Sequence, residues 1–260
     1  MRQEAYFCTV KELDELGKNN IPRQLISHTH LIYSSPATLA FNSPGAEGFG
    51  VKRAGLAVPD SVMLIVSPGC CGRNTSVLSS MRAYQDRFYY LLMDETDIVT
   101  GRHLKKIPKA VAEICEGLKK KPSVVMICIT CVDALLGTDM ERVCHKAEEY
   151  AGVPVRPCYM YALTREGRKP PMVHVRQSVY SLLEPKKKKG NVVNLLGYFS
   201  PLTDDCELYD LLHGAGVKTI HEISRCKDYA QYQTMSEANF NLVLHPEARF
   251  AAEDFHDRLK

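Results

Sequence analysis

Val62-Met63-Leu64-Ile65-Val66-Ser67-Pro68-Gly69-Cys70-Cys71-Gly72 decides the reading of this chain, because a continuously apolar, β-branched run stops there at a proline, two glycines and two thiols. Val124-Val125-Met126-Ile127-Cys128-Ile129-Thr130-Cys131 repeats the pattern further on. Runs that are apolar at every position, rather than at alternate ones, belong to parallel strands buried on both faces. In a doubly wound sheet the carboxyl ends of such strands share one edge, and ligands bind outside that edge. Two loops far apart in sequence, one carrying Cys70 and Cys71 and the other Cys131, are therefore expected to converge on one site.

The segments around these strands supply the crossovers that a parallel sheet needs. Ile107, Val111, Ile114 and Leu118 recur at helical spacing between Lys105 and Lys120, and Lys119-Lys120-Lys121-Pro122 marks the stop. A second helix is expected from Thr138-Asp139 to Ala151-Gly152, with a strand at Phe88–Met93 and a turn at Asp94-Glu95-Thr96-Asp97. Upstream, Thr9–Leu16 reads as a short helix, and Ser34–Gly55 holds too many prolines and glycines for a long element and reads as a covering loop. His28 and His30 alternate as strand neighbours would, but a metal asks for three or four ligands, so the pair reads as incidental.

The expected fold class is α/β, with Rossmann-like doubly wound parallel sheets in two domains. Residues 1–30 form an N-terminal arm, 31–183 the first domain with the strand-end cysteines Cys70 and Cys131, 184–190 a lysine-rich linker, and 191–260 a second domain left incomplete. The linker rests on Glu184-Pro185-Lys186-Lys187-Lys188-Lys189-Gly190, whose charges repel one another and stay solvated. After it, Asn191–Leu196, Val217–Ile220 and Asn241–Leu244 read as strands and Asp204–His213 as a helix, and the chain stops in the helix that follows. So few strands seldom stand alone, so a fragment or a completing partner is expected.

Composition excludes several classes of function. The 260 residues are 45% hydrophobic, enough for a sizeable core, and 33 basic against 30 acidic residues give a net charge of +3. So balanced a chain is not expected to bind nucleic acid or a membrane surface. The start, Met1-Arg2-Gln3-Glu4-Ala5-Tyr6, lacks the apolar core of a signal peptide, and the expectation is a cytoplasmic protein. Its ten cysteines are then reduced thiols rather than a disulfide framework.

Those thiols divide by position. Cys128 and Cys131 lie three apart on an extended run, so their side chains face opposite ways: Cys128 is expected buried and Cys131 at the site. A thioredoxin-type pair would open a helix instead, and a tetrahedral zinc site is poorly served by adjacent Cys70 and Cys71. Cys115, Cys144, Cys158, Cys206 and Cys226 read as core cysteines. Thiolates at two strand ends lead to the expectation of an iron-sulfur cluster.

Three stretches then carry a resemblance. Pro68-Gly69-Cys70, Glu95-Thr96-Asp97-Ile98-Val99-Thr100-Gly101, and Thr130-Cys131 with Gly137-Thr138-Asp139 resemble, in order and spacing, the successive motifs of the nitrogenase component 1 family, from about Leu31 to Lys260. The resemblance implies repeated Rossmann-like domains, of which this chain holds the first and part of the second. It implies a cluster at a subunit interface, in a homodimer or a heterodimer with a related component 1 subunit, supplied by an ATP-dependent iron-sulfur reductase. Cys70 and Cys131 match the family's second and third cluster cysteines; the first has no counterpart, since Ser35–Gly48 contains no cysteine. Two thiolates per chain suit a [4Fe-4S] cluster shared between subunits, because such a cluster usually takes four cysteines. Cys71 is a substitute ligand, and His245, after Asn241-Leu242-Val243-Leu244, stands where the molybdenum-iron α subunits carry a cofactor cysteine. What the resemblance implies for function is a nitrogenase-like oxidoreductase component that passes low-potential electrons to a substrate, with a non-catalytic scaffold for iron-sulfur or metallocofactor assembly as the alternative. No catalytic residue is singled out.

Overall fold

The computed structural model describes residues 9–17, 19–20, 22, 50–69, 79–160 and 169–259. Cys70, Cys71, His28, His30 and most of the Ser34–Gly55 stretch lie outside them. In chain order the elements are α1 (Val10–Leu16), α2 (Val51–Gly55), β1 (Val62–Ser67), β2 (Phe88–Leu92), α3 (Glu95–Thr100), α4 (His103–Gly117), β3 (Val125–Thr130), α5 (Cys131–Leu135), α6 (Met140–Ala151) and β4 (Val155–Met160). There follow α7 (Pro171–Tyr180), β5 (Lys189–Leu196), α8 (Glu207–Gly214), β6 (Thr219–His221), α9 (Tyr229–Gln233), β7 (Ala238–Val243) and α10 (Arg249–Arg258).

Both sheets are parallel throughout, in the orders β2-β1-β3-β4 and β6-β5-β7. In the first sheet every residue of β1 and β3 is buried, as continuous apolar runs require. The pleat deals their side chains to two cores. Val62, Leu64, Val66, Val125, Ile127 and Ile129 pack under Ile107, Val111 and Ile114 of α4 and Met140, Cys144 and Ala147 of α6. Met63, Ile65, Met126 and Cys128 face the other way, onto Val51 and Ala54 of α2 and Val175 and Val179 of α7. That second core continues without a break to Leu196 of β5, Tyr232 and Met235, and Ala251 and Phe255 of α10. One hydrophobic cluster therefore joins the two sheets.

Several expectations shift by local chemistry. Asp94-Glu95-Thr96-Asp97 is the start of a helix rather than a turn: the Asp94 carboxylate accepts from the Asp97 amide, and Gly101 ends α3 in the left-handed conformation. Val51–Gly55 is a largely buried helix, not loop, and a Cβ on its Gly55 would lie 2.6 Å from Met63 Cε and 2.9 Å from Cys158 Sγ, so those side chains would have to shift. Lys189 and Gly190 belong to β5, with Lys189 paired to Glu237 at 2.5 Å, whereas Glu184 to Lys187 are exposed as a charged run should be. The capping box of Thr9 and Glu12 and the Asp139 cap of α6 form as their sequences indicate. No helix among the described residues is long and apolar enough to cross a membrane.

Candidate functional site

β1 and β3 are neighbours in register, with Val66 opposite Ile129, so the loop after Ser67 and the helix after Thr130 leave the same edge side by side. Cys131 is the first residue of α5, half-buried, its thiol donating to the Met160 carbonyl at 3.9 Å at the end of β4. Cys128 is fully buried within β3, opposite Ile65 and Cys158. Burial pushes the thiols of Cys144 and Cys158 far up, and that of Cys226 to about 11, which keeps all three protonated at neutral pH. There is no disulfide among the described cysteines.

The same edge concentrates buried polar atoms. Of seven buried side-chain atoms without a hydrogen bond among the described residues, four are Ser67 Oγ, Thr130 Oγ1, Asp97 Oδ1 and Asp133 Oδ2. Ser67 and Thr130 end the two strands, Asp97 belongs to α3, and Asp133 lies in α5. Leaving such groups unsatisfied is costly, and their collection at one edge marks it as a place kept for something other than stability.

His103 ties these pieces together. Its Nδ1 is 3.0 Å from the Asp97 carbonyl and must donate, since a carbonyl only accepts. Its Nε2 is 2.9 Å from Asp133 Oδ1, which also accepts from the Thr138 hydroxyl at 3.1 Å. Lys106 donates to Asp97 Oδ2 at 2.6 Å, and this bond holds the Asp97 carboxyl below its usual range against the opposing effect of burial. A cavity of about 610 Å³ opens beside the network, with Val99, Gly101, His103, Leu136, Thr138 and Arg142 in its walls. Val99, Leu135 and Leu136 are exposed, and Val99 and Leu136 line this cavity. Neither His103 nor Asp133 stands out in sequence; the only signal is their closeness to the Gly101 and Cys131 motifs.

His245 belongs to the other sheet. It follows β7, and its Nδ1 accepts from the Glu247 amide at 3.3 Å, so the neutral ring carries its proton on Nε2. Tyr198 meets the ring edge-on at 5.7 Å. Gly197, at φ 138°, is glycine of necessity: a Cβ there would be 2.7 Å from the backbone nitrogen of His245. Among the described residues no group of three or more His, Cys, Asp or Glu side chains is arranged to hold a metal ion. The described part of the site thus offers one accessible thiol, Cys131, of the donor type that iron-sulfur clusters take.

Comparison with known proteins identifies the lineage. The family model described as nitrogenase component 1 type oxidoreductase matches residues 47–260. The chain belongs to this family. The nitrogenase iron-molybdenum cofactor biosynthesis protein NifE of Klebsiella pneumoniae is 26% identical over 222 residues, covering 77% of this chain and 48% of that protein. The protein of the same name from Rhizobium meliloti strain 1021 is 28% identical over 176 residues, covering 65% and 37%. The solved structure titled nitrogenase Cp1 at pH 6.5 superposes with a TM-score of 0.58 at 20% identity, over 83% of this chain and 46% of that one, and shows the common fold. This component 1 type chain spans less than half the length of these relatives.

Proposed function

We propose that this chain is a component 1 type scaffold that holds an iron-sulfur cluster at the carboxyl edge of its first sheet and serves in assembling a metallocofactor for another protein. The observation that carries the reading is the place of Cys131: a half-buried cysteine one residue beyond β3, beside the strand after which Cys70 and Cys71 follow in the sequence. Cys70 and Cys131 are the thiolate ligands, with Cys71 as a substitute for one of them. The assembly role is supported by relatives named as cofactor biosynthesis proteins. A [4Fe-4S] cluster wants four cysteines, so two chains, identical or related, meet across it. The exposed Val99, Leu135 and Leu136 suit such an interface. His245 is a secondary ligand candidate, and to bind through Nε2 its ring has to move the proton and give up the cap on Glu247.

A second reading keeps the family's oxidoreductase description: electrons from an ATP-dependent iron-sulfur reductase pass through the cluster to a substrate. Two assays on anaerobically purified protein separate the readings. Transfer of the cluster to an apo-acceptor without turnover supports the scaffold, and turnover with an added reductase without transfer supports the electron-transfer component. About four irons per dimer are expected in either case. Stoichiometric zinc without iron would overturn both.

A further inference from the structure

We propose that His103 is a positioning residue that aims the Cys131 thiol. Helix α5, which begins with Cys131, has only five residues, too few to hold its own geometry in water. Its orientation depends on what fastens it, and Asp133 is buried at 0% exposure with its Oδ1 2.9 Å from His103 Nε2. His103, the first residue of α4, is itself fixed, at 1% exposure, by the bond from Nδ1 to the Asp97 carbonyl of α3. Residues two apart on a helix lie about 200° apart around its axis. Holding Asp133 against α4 therefore turns Cys131 to the other side of α5, where its thiol meets the Met160 carbonyl. One imidazole thus links the Glu95–Gly101 motif, the crossover helix and the cysteine helix.

The proposal rests on Cys131 being the working thiol of the proposed function, and it is tested without the cluster. The probe is iodoacetamide labelling of the metal-free full chain, read at Cys131 by mass spectrometry, with buried Cys144 as the report of general unfolding. His103→Gln keeps a donor where Nε2 reaches Asp133, whereas His103→Asn keeps only the Nδ1 bond to Asp97. The Asn variant is expected to label at Cys131 roughly fivefold faster while Cys144 stays protected, as local opening confined to α5 requires. The Gln variant should label at the wild-type rate within roughly twofold. Asp133→Asn, which weakens the same bond from the other side, should match His103→Asn. Equal rates in the Asn and Gln variants, or Cys144 accelerating in step with Cys131, would overturn the proposal. Iron content of Cys131→Ser tests the ligand reading by itself, so the two can fail separately.

Discussion

Arg176 and Glu247 form an ion pair at 2.7 Å with side chains only 5% and 8% exposed, and this pair fastens α7 to the turn that follows β7. The same guanidinium donates twice to the Gly197 carbonyl, at 2.9 and 2.7 Å, and lies over the Phe199 ring. Removing one member of a buried pair strands the other charge, at about 3–5 kcal/mol. Arg176→Ala is expected to lower stability by an amount of that order in thermal or denaturant unfolding. The double replacement Arg176→Met with Glu247→Gln should recover a large part of it. A wild-type melting temperature for Arg176→Ala would show that the pair is not buried in solution.

Cys128 and Cys131 should fail in opposite ways. Cys128→Ser places a hydroxyl in an apolar strand and is expected to cost about 1–3 kcal/mol with cluster iron unchanged. Cys131→Ser should lose iron with little change in unfolding free energy. Iron analysis beside a denaturation curve for each variant separates them, and equal iron loss in both would mean that the roles of the buried strand position Cys128 and the helix-start position Cys131 are wrongly assigned.

His174 on α7 meets the Tyr159 ring at a tilt with centroids 4.8 Å apart, and burial, reinforced by Lys169, lowers its pKa to about 4. Because the folded value lies below the unfolded one of 6.5, the fold favours the neutral ring. The stability it contributes is complete above pH 6.5 and is lost as pH falls toward 4, by at most about 3–4 kcal/mol at about 1.4 kcal/mol per tenfold change. His174→Phe should flatten the unfolding free energy between those two pH values. An unchanged slope would assign the acid sensitivity to other groups.

Counting thiols leads to a prediction about assembly. If Cys70 and Cys131 supply half of a four-cysteine shell, the cluster and the dimer are lost together, and Cys70→Ala should both reduce iron and weaken association in sizing experiments. A monomer that keeps its full iron complement would show that Cys71 or His245 completes the shell within one chain.

The sheet was legible where burial is total. β1 and β3 carry no polar residue before their ends, and helices α4 and α6 announce themselves by apolar spacing and by the Asp139 cap. β4 and α7 were harder to see. β4 carries Arg156 and Pro157, which an edge strand tolerates and a central one would not, and α7 buries Arg176 and Ser178, which blurs its apolar stripe. Cys131 was legible from its place at a strand exit, whereas the His103–Asp133 bond joins positions thirty residues apart and depends on tertiary placement alone. Propensity and spacing carry no trace of such a bond.

The hydrophobic cluster shared by both sheets bears on how the molecule responds to a protease. Lys186 and Lys187 are exposed and are the natural cutting place for trypsin, yet α7 on one side of that cut packs against α10 on the other, and Tyr180 meets Phe255 at 5.4 Å. Arg258 also donates to the Tyr180 carbonyl at 3.0 Å. A nicked chain would therefore travel as one particle, its halves parting only in denaturant, and the lysine run acts as a covalent seam across a surface that already adheres.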